Sequence, residues 1–132
     1  MNFRLPLIAC AAAVLSACGT TGALRPSTIS TAEASQWVAR DADTIILDVR
    51  TREEFAGGHL PGAKLIPWTD RDFEDRAVKE LDRGKPVLVY CARGSRSGAA
   101  SKKLATLGFQ VRDLEGGINA WKRGGHPITP SR

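Results

Sequence analysis

Cysteine is scarce in this chain, with three in 132 residues, at positions 10, 18 and 91. So few cannot build a disulfide framework. Histidine occurs twice, at His59 and His126, and their spacing forms no metal-ligand cluster. Aromatic residues make up 6%, and nowhere do they interleave with a run of Lys and Arg. That absence excludes a nucleic-acid face, although Lys plus Arg (19) outnumber Asp plus Glu (14) and the net charge is +5. No apolar run reaches the roughly 20 residues that cross a bilayer. Internal repeats and low-complexity tracts are missing too. What is present is ordinary globular composition, 42% hydrophobic and 25% charged, at the length of one domain.

The first eighteen residues, MNFRLPLIACAAAVLSAC, read as an address. Arg4 is their one charged side chain, and residues 5–17 are uncharged and rich in Leu, Ala, Ile and Val. This length suits the ~7–15-residue apolar core of a secretory signal. Leu15-Ser16-Ala17-Cys18 resembles the bacterial lipoprotein box, whose cysteine becomes lipidated and begins the mature chain. The expected organisation is a signal peptide over 1–17, a lipid-anchored tether over 18–29 attached at Cys18, and a domain over 30–132. The expected place is the periplasmic side of a bacterial membrane. Gly19 in place of Asp leans toward the outer membrane. The plainer alternative is a cleaved signal and a soluble periplasmic protein. On either reading Cys10 leaves with the signal. With Cys18 lipidated, Cys91 is the single thiol left, and no intramolecular disulfide can form.

Beyond the tether, short apolar runs alternate with helical segments. Ser30-Thr31-Ala32-Glu33 is a capping box that opens a helix through about Arg40. Strands are expected at 44–49, 64–67, 87–90 and 109–114, and helices at 52–56, 70–81, 97–107 and 118–123. This alternation predicts an α/β fold, a parallel sheet with helices on both faces. Ligands of such sheets sit beyond the carboxyl ends of the strands. Cys91 follows one such end directly, and Asp48-Val49-Arg50 occupies another.

A free thiol has a pKa of about 8.5, and its thiolate is the nucleophile. Three features around Cys91 favour the thiolate. Its loop leads into a helix N-terminus, where unpaired N–H groups attract an anion. Gly94 and small neighbours let successive N–H groups curl inward. Arg93 and Arg96 add two positive charges with no acid between them. Cysteines in such surroundings have pKa values of roughly 3.5–7.5. By itself, a cysteine at a strand end is more often buried and inert.

Four segments together carry a resemblance over about residues 41–129. They are Asp48-Val49-Arg50 with Glu54-Phe55, Gly58-His59-Leu60-Pro61-Gly62-Ala63, Tyr90-Cys91-Ala92-Arg93-Gly94-Ser95-Arg96-Ser97, and Leu114-Glu115-Gly116-Gly117-Ile118-Asn119-Ala120-Trp121. The stretch resembles a single-domain rhodanese, a thiosulfate/persulfide sulfurtransferase. The resemblance implies a three-layer α/β/α domain on a five-stranded parallel sheet, with Cys91 as catalytic residue. It implies double displacement through a Cys91 persulfide, from a small anionic sulfur donor to a thiol or cyanide acceptor. Ala92, Gly94, Ser95 and Ser97 then form the substrate cradle, and Arg93 and Arg96 hold the anion. No metal or organic cofactor is implied.

Three rival readings stay open at this point. The first is a phosphatase or arsenate reductase of the same fold; related cell-cycle phosphatases carry the loop arginine after five intervening residues, whereas Arg96 follows Cys91 after four. A sulfur-carrier or binding module would use Cys91 without turnover. A redox thiol would need an external partner. Asp48 either supports the loop, pairing with Arg96, or satisfies N–H groups at its strand end. Arg50, Arg52, Glu53 and Glu54 read as a surface ion-pair group of small energetic weight. His59 reads as a turn residue bonding backbone rather than an acid/base catalyst. Trp37, Trp121, Phe55 and Phe109 read as core, and Trp68 as core or site rim.

Overall fold

The computed structural model describes residues 25–130. The signal segment and Cys18 lie outside them. In chain order the elements are β1 (Ser27–Ile29), α1 (Thr31–Arg40), β2 (Ile45–Asp48), α2 (Arg52–Ala56), β3 (Gly58–His59), β4 (Lys64–Leu65), α3 (Phe73–Glu80), β5 (Val87–Tyr90), α4 (Ser95–Thr106), β6 (Val111–Leu114), α5 (Gly117–Arg123) and β7 (Thr129–Pro130). Five strands form one parallel sheet in the order β1-β6-β5-β2-β4, and β3 pairs antiparallel with β7. The expected α/β class and the five-stranded parallel sheet are both present.

Two boundaries differ from expectation in ways that matter. Ser27–Ile29, read as tether, forms the edge strand β1 and pairs with Arg112–Leu114. Three polar or β-branched residues beside Pro26 carry too little pattern to announce a strand; the open edge of β6 supplies it. Helix α4 begins at Ser95, two residues earlier than expected. The Cys91 loop is correspondingly tighter.

Period two along the strands sorts the core onto two faces. Val87, Val89 and Cys91 point to the cluster under α3 and α4, with Phe73, Ala77, Ala100 and Leu104. Leu88 and Tyr90 point to the opposite cluster, with Ala34, Ile118 and Trp121. All four residues of β5 are buried, as befits the central strand of a parallel sheet. Of the expected core aromatics, Trp121 and Phe109 are buried. Trp37 is only half-buried, with the Arg112 guanidinium 4.4 Å from its ring centre. Phe55 is not core: it is half-buried and stacks on His59 at 3.8 Å. Helix α2 is one short turn at the rim, too short to turn a whole face inward. Trp68 packs edge-on against Phe73 beside the Cys91-containing cluster.

Candidate active site

The alternation along β5 sends the Cys91 side chain toward the N-terminus of α4. There the chain turns sharply, and Gly94 adopts φ 120°, a conformation that side-chain-bearing residues rarely adopt. Gly94 also starts α4 with no side-chain cap, so the first-turn N–H groups remain available. They converge on the sulfur. The Gly94 N–H donates to Cys91 Sγ at 3.0 Å, and Ser97 Oγ lies 3.4 Å from it. Burial, with 1% of the residue exposed, works against a thiolate. The hydrogen bonds from the Ser97 side chain and from the backbone of Ser97, Gly94 and Arg93 outweigh it, and the Cys91 thiol is held below its ordinary value.

The start of the loop is clamped from outside. The Ile118 N–H donates to Cys91 O at 2.9 Å, and the Asn119 N–H to Ala92 O at 3.1 Å. Tying these carbonyls outward leaves the loop N–H groups facing in. The clamp needs close approach at Gly117, where φ is 61°. A β-carbon there would stand 2.6 Å from Ala92 O and collide with Cys91 O as well. Gly117 therefore shapes the site without touching the sulfur. Its signal in the sequence is the pair Gly116-Gly117 one residue after a strand.

The two loop arginines are placed differently. Arg93 is exposed at the mouth of the loop. Arg96, expected to hold the anion, is held by Glu54: its two terminal nitrogens lie 2.7 and 2.9 Å from the two carboxylate oxygens. Glu54 also accepts from Thr51 N, completing a capping box on α2. Arg96 and, against burial, the Thr51 bonds lower the Glu54 pKa to about 2. Glu54 was read as a surface charge of small weight. Its place at the fourth position of Thr51-Arg52-Glu53-Glu54 is the capping signal that marks it as ordered.

Arg50, by contrast, is no surface residue, at 5% exposed. Its guanidinium bonds Asp48 at 2.7 Å and Gly58 O at 2.7 Å. Asp48 also accepts the Arg50 N–H at 2.9 Å. Asp48 thus caps its own strand end and pairs with Arg50, not Arg96. Tyr90 closes this network from β5: its hydroxyl accepts the Leu60 N–H at 3.1 Å and bonds Asp48. Burial and the nearby Asp48 charge push the Tyr90 pKa up, so the phenol stays neutral. Of the charges read as surface, Arg52 and Glu53 are exposed, and Arg52 pairs with Asp70 at 2.8 Å. The His59 ring meets backbone as read, with Nδ1 3.0 Å from Phe55 O, but the residue lies in β3 rather than in a turn.

Ala92 is half-buried and Ser95 is exposed at the first position of α4. Ser97 is fully buried. The described residues hold no group of three or more His, Cys, Asp or Glu able to bind a metal.

Comparison with known proteins agrees with this geometry. The family model described as Rhodanese-like domain matches residues 30–124. A sulfurtransferase of Allochromatium vinosum is 35% identical over 96 residues, which is 72% of this chain and 87% of that protein. An adenylyltransferase and sulfurtransferase of Meyerozyma guilliermondii is 34% identical over 88 residues, but the match spans 62% of this chain and only 21% of that protein. The crystal structure of a rhodanese-related protein from Thermoplasma volcanium superposes with a TM-score of 0.70 at 32% identity, covering 78% of this chain and 97% of that one. The chain belongs to the rhodanese-like domain family.

Proposed function

We propose that this protein is a sulfurtransferase that carries a sulfane sulfur on Cys91. The carrying observation is the buried sulfur ringed by the N–H groups of Arg93, Gly94 and Ser97 and by the Ser97 hydroxyl. A thiolate so held attacks the outer sulfur of thiosulfate or of a donor persulfide. With thiosulfate, the donor S–S bond breaks, sulfite leaves with the electron pair, and Cys91 becomes a persulfide. An acceptor thiolate, or cyanide in an assay, then attacks the terminal sulfur and frees the Cys91 thiolate. The inward N–H groups stabilise negative charge on whichever sulfur bears it, as an oxyanion hole does. Arg93, exposed at the mouth, steers the anionic donor. Arg96 contributes its field to the sulfur from within its pair with Glu54.

Intact mass after thiosulfate treatment is the direct test. The expected result is a gain of one sulfur, lost on adding cyanide and absent in Cys91→Ser. A protein that gains none is not a sulfurtransferase of this kind. Loading without turnover would make it a carrier, and hydrolysis of aryl phosphates without loading would make it a phosphatase.

For its location we propose lipid attachment at Cys18, on the periplasmic face of the outer membrane. The support is Leu15-Ser16-Ala17-Cys18 after an uncharged stretch. Several acyl chains, each CH₂ contributing ~0.8 kcal/mol, anchor stably where one does not. No helix of the described residues is long and apolar enough to cross a membrane. Cys18→Ser is expected to move the protein from the membrane fraction to the soluble one; retention in membranes would refute the anchor.

A further inference from the structure

The parity of β6 leaves one ionisable group that this sulfur chemistry does not use. Val111 belongs to the cluster under α3 and α4, so Asp113, two residues on, faces the same side. Register sets Asp113 beside Val89, and Cys91 is the next residue along the β5 line on that face. The Asp113 Oδ2 atom lies against α4, 3.7 Å from where a β-carbon on Gly98 would stand. Its Oδ1 atom is buried without a hydrogen-bond partner. The Ser97 hydroxyl oxygen lies near the carboxylate and draws its pKa down. That same oxygen stands 3.4 Å from Cys91 Sγ and 3.2 Å from Gly94 O. The hydroxyl thus sits among a carboxylate, a sulfur and a carbonyl, accepting from the Cys91 thiol and donating to the Gly94 carbonyl.

We propose that Asp113 is a positioning residue that sets the protonation state of Cys91 through the Ser97 hydroxyl. The proposal rests on Cys91 working as a thiolate sulfur carrier. When Asp113 is protonated, its O–H donates to Ser97 Oγ, and the Ser97 O–H is free to donate to the thiolate. When Asp113 is ionised, the Ser97 O–H turns to the carboxylate. The sulfur then loses a donor and faces a second negative charge, and it keeps its proton, donating S–H to Ser97 Oγ. One proton therefore passes between sulfur and carboxylate. Sγ–H goes to Ser97 Oγ as Ser97 O–H goes to Asp113, with no heavy-atom bond made or broken. Coupled groups of this kind titrate as a pair.

The surroundings favour such exchange. Burial raises the Asp113 pKa against the lowering by Ser97, while the Cys91 thiol is lowered, so the two approach one another. From α4 the groups facing Asp113 are Ser97 and Gly98, from β5 Val89 and Cys91, and its register partner on β1 is Thr28. Among the described residues no charged side chain bears on its carboxylate. The charge bearing on the sulfur is Arg96, itself paired with Glu54.

The test is the pH profile of iodoacetamide alkylation at Cys91 in the purified protein, read by peptide mass. Asp113→Asn is expected to shift the midpoint down by roughly one pH unit, chiefly because the Ser97 hydroxyl is returned to the sulfur as a donor. In a Ser97→Ala background the same substitution is expected to shift it little. Coincident wild-type and Asp113→Asn profiles would overturn the proposal, and so would a shift that survives Ser97→Ala undiminished. Should Asp113→Asn fail to fold, the reciprocal measurement decides. The ¹³C carboxyl titration of Asp113 should move to lower pH in Cys91→Ala, and an unmoved titration refutes the coupling. Thiosulfate loading is followed in the same wild-type samples. Absent loading overturns the sulfur-carrier reading, whereas normal loading with an unmoved profile overturns the role of Asp113 alone.

Discussion

Two arginine–carboxylate pairs flank the carboxyl ends of the central strands, and they do different work. Asp48–Arg50 is sealed, with side-chain exposures of 0% and 6%. Its neighbours are the Gly58 carbonyl and Tyr90, whose ring centre lies 5.6 Å from the Arg50 guanidinium carbon. It joins β2, β3 and β5 into one scaffold. Glu54–Arg96 bridges α2 to the start of α4, and its side chains stay 35% and 30% exposed. Identical chemistry therefore gives a rivet in one place and an adjustable charge beside the sulfur in the other. Burial decides which. A buried charge stripped of its partner has no water to turn to, whereas a half-exposed one does.

The largest expected effect comes from breaking the buried pair. Arg50→Ala leaves the Asp48 carboxylate uncompensated inside the sheet, a loss of about 3–5 kcal/mol. Urea unfolding should show it, with thiosulfate loading of the molecules that remain folded largely preserved. A loss below about 1 kcal/mol would make the pair no more structural than its exposed counterpart. Gly117→Ala comes next and reverses the pattern. The added methyl drives into Ala92 O, 2.6 Å away, and displaces the loop carrying the sulfur. A displacement near 1 Å is expected to cost about 10²-fold in kcat/KM. The loss in urea stability should be smaller than that of Arg50→Ala. Unchanged kinetics would mean that the clamp does not shape the cradle.

Much of this division was legible in the sequence. The apolar runs gave β2 and β5, and Gly94 with its small neighbours gave the anion-facing loop. The pairs were not. Asp48-Val49-Arg50 shows two charges at a strand end, and nothing local says that Tyr90, 40 residues later, will roof them over. Glu54 and Arg96 are 42 residues apart, and their meeting follows only from the β2–β5 register. Asp113 was passed over for a similar reason. An acid inside a short strand looks solvent-facing until parity with Val111 turns it inward.

Glu54 offers a finer cut between the two pairs. Glu54→Gln loosens the grip on Arg96 and leaves that guanidinium for the anionic donor, so KM for thiosulfate should fall a few-fold. Arg96→Ala should raise it by a similar factor, the size of one charge-assisted contact in a half-exposed site. KM values moving in the same direction would exclude competition between carboxylate and substrate for Arg96.

The smallest effect lies in the acid limb of stability. The folded Glu54 pKa is depressed from 4.5 to about 2, so its contribution is fully present above 4.5 and is lost as pH falls toward 2. Because the pair is half-exposed and screened by solvent, that contribution is of order 1 kcal/mol or less. Over this window wild type should lose slightly more urea stability than Glu54→Gln, since the amide has nothing to protonate. Parallel acid limbs would show that the pair holds Arg96 in place without stabilising the fold. That outcome would draw the contrast with Asp48–Arg50 more sharply still.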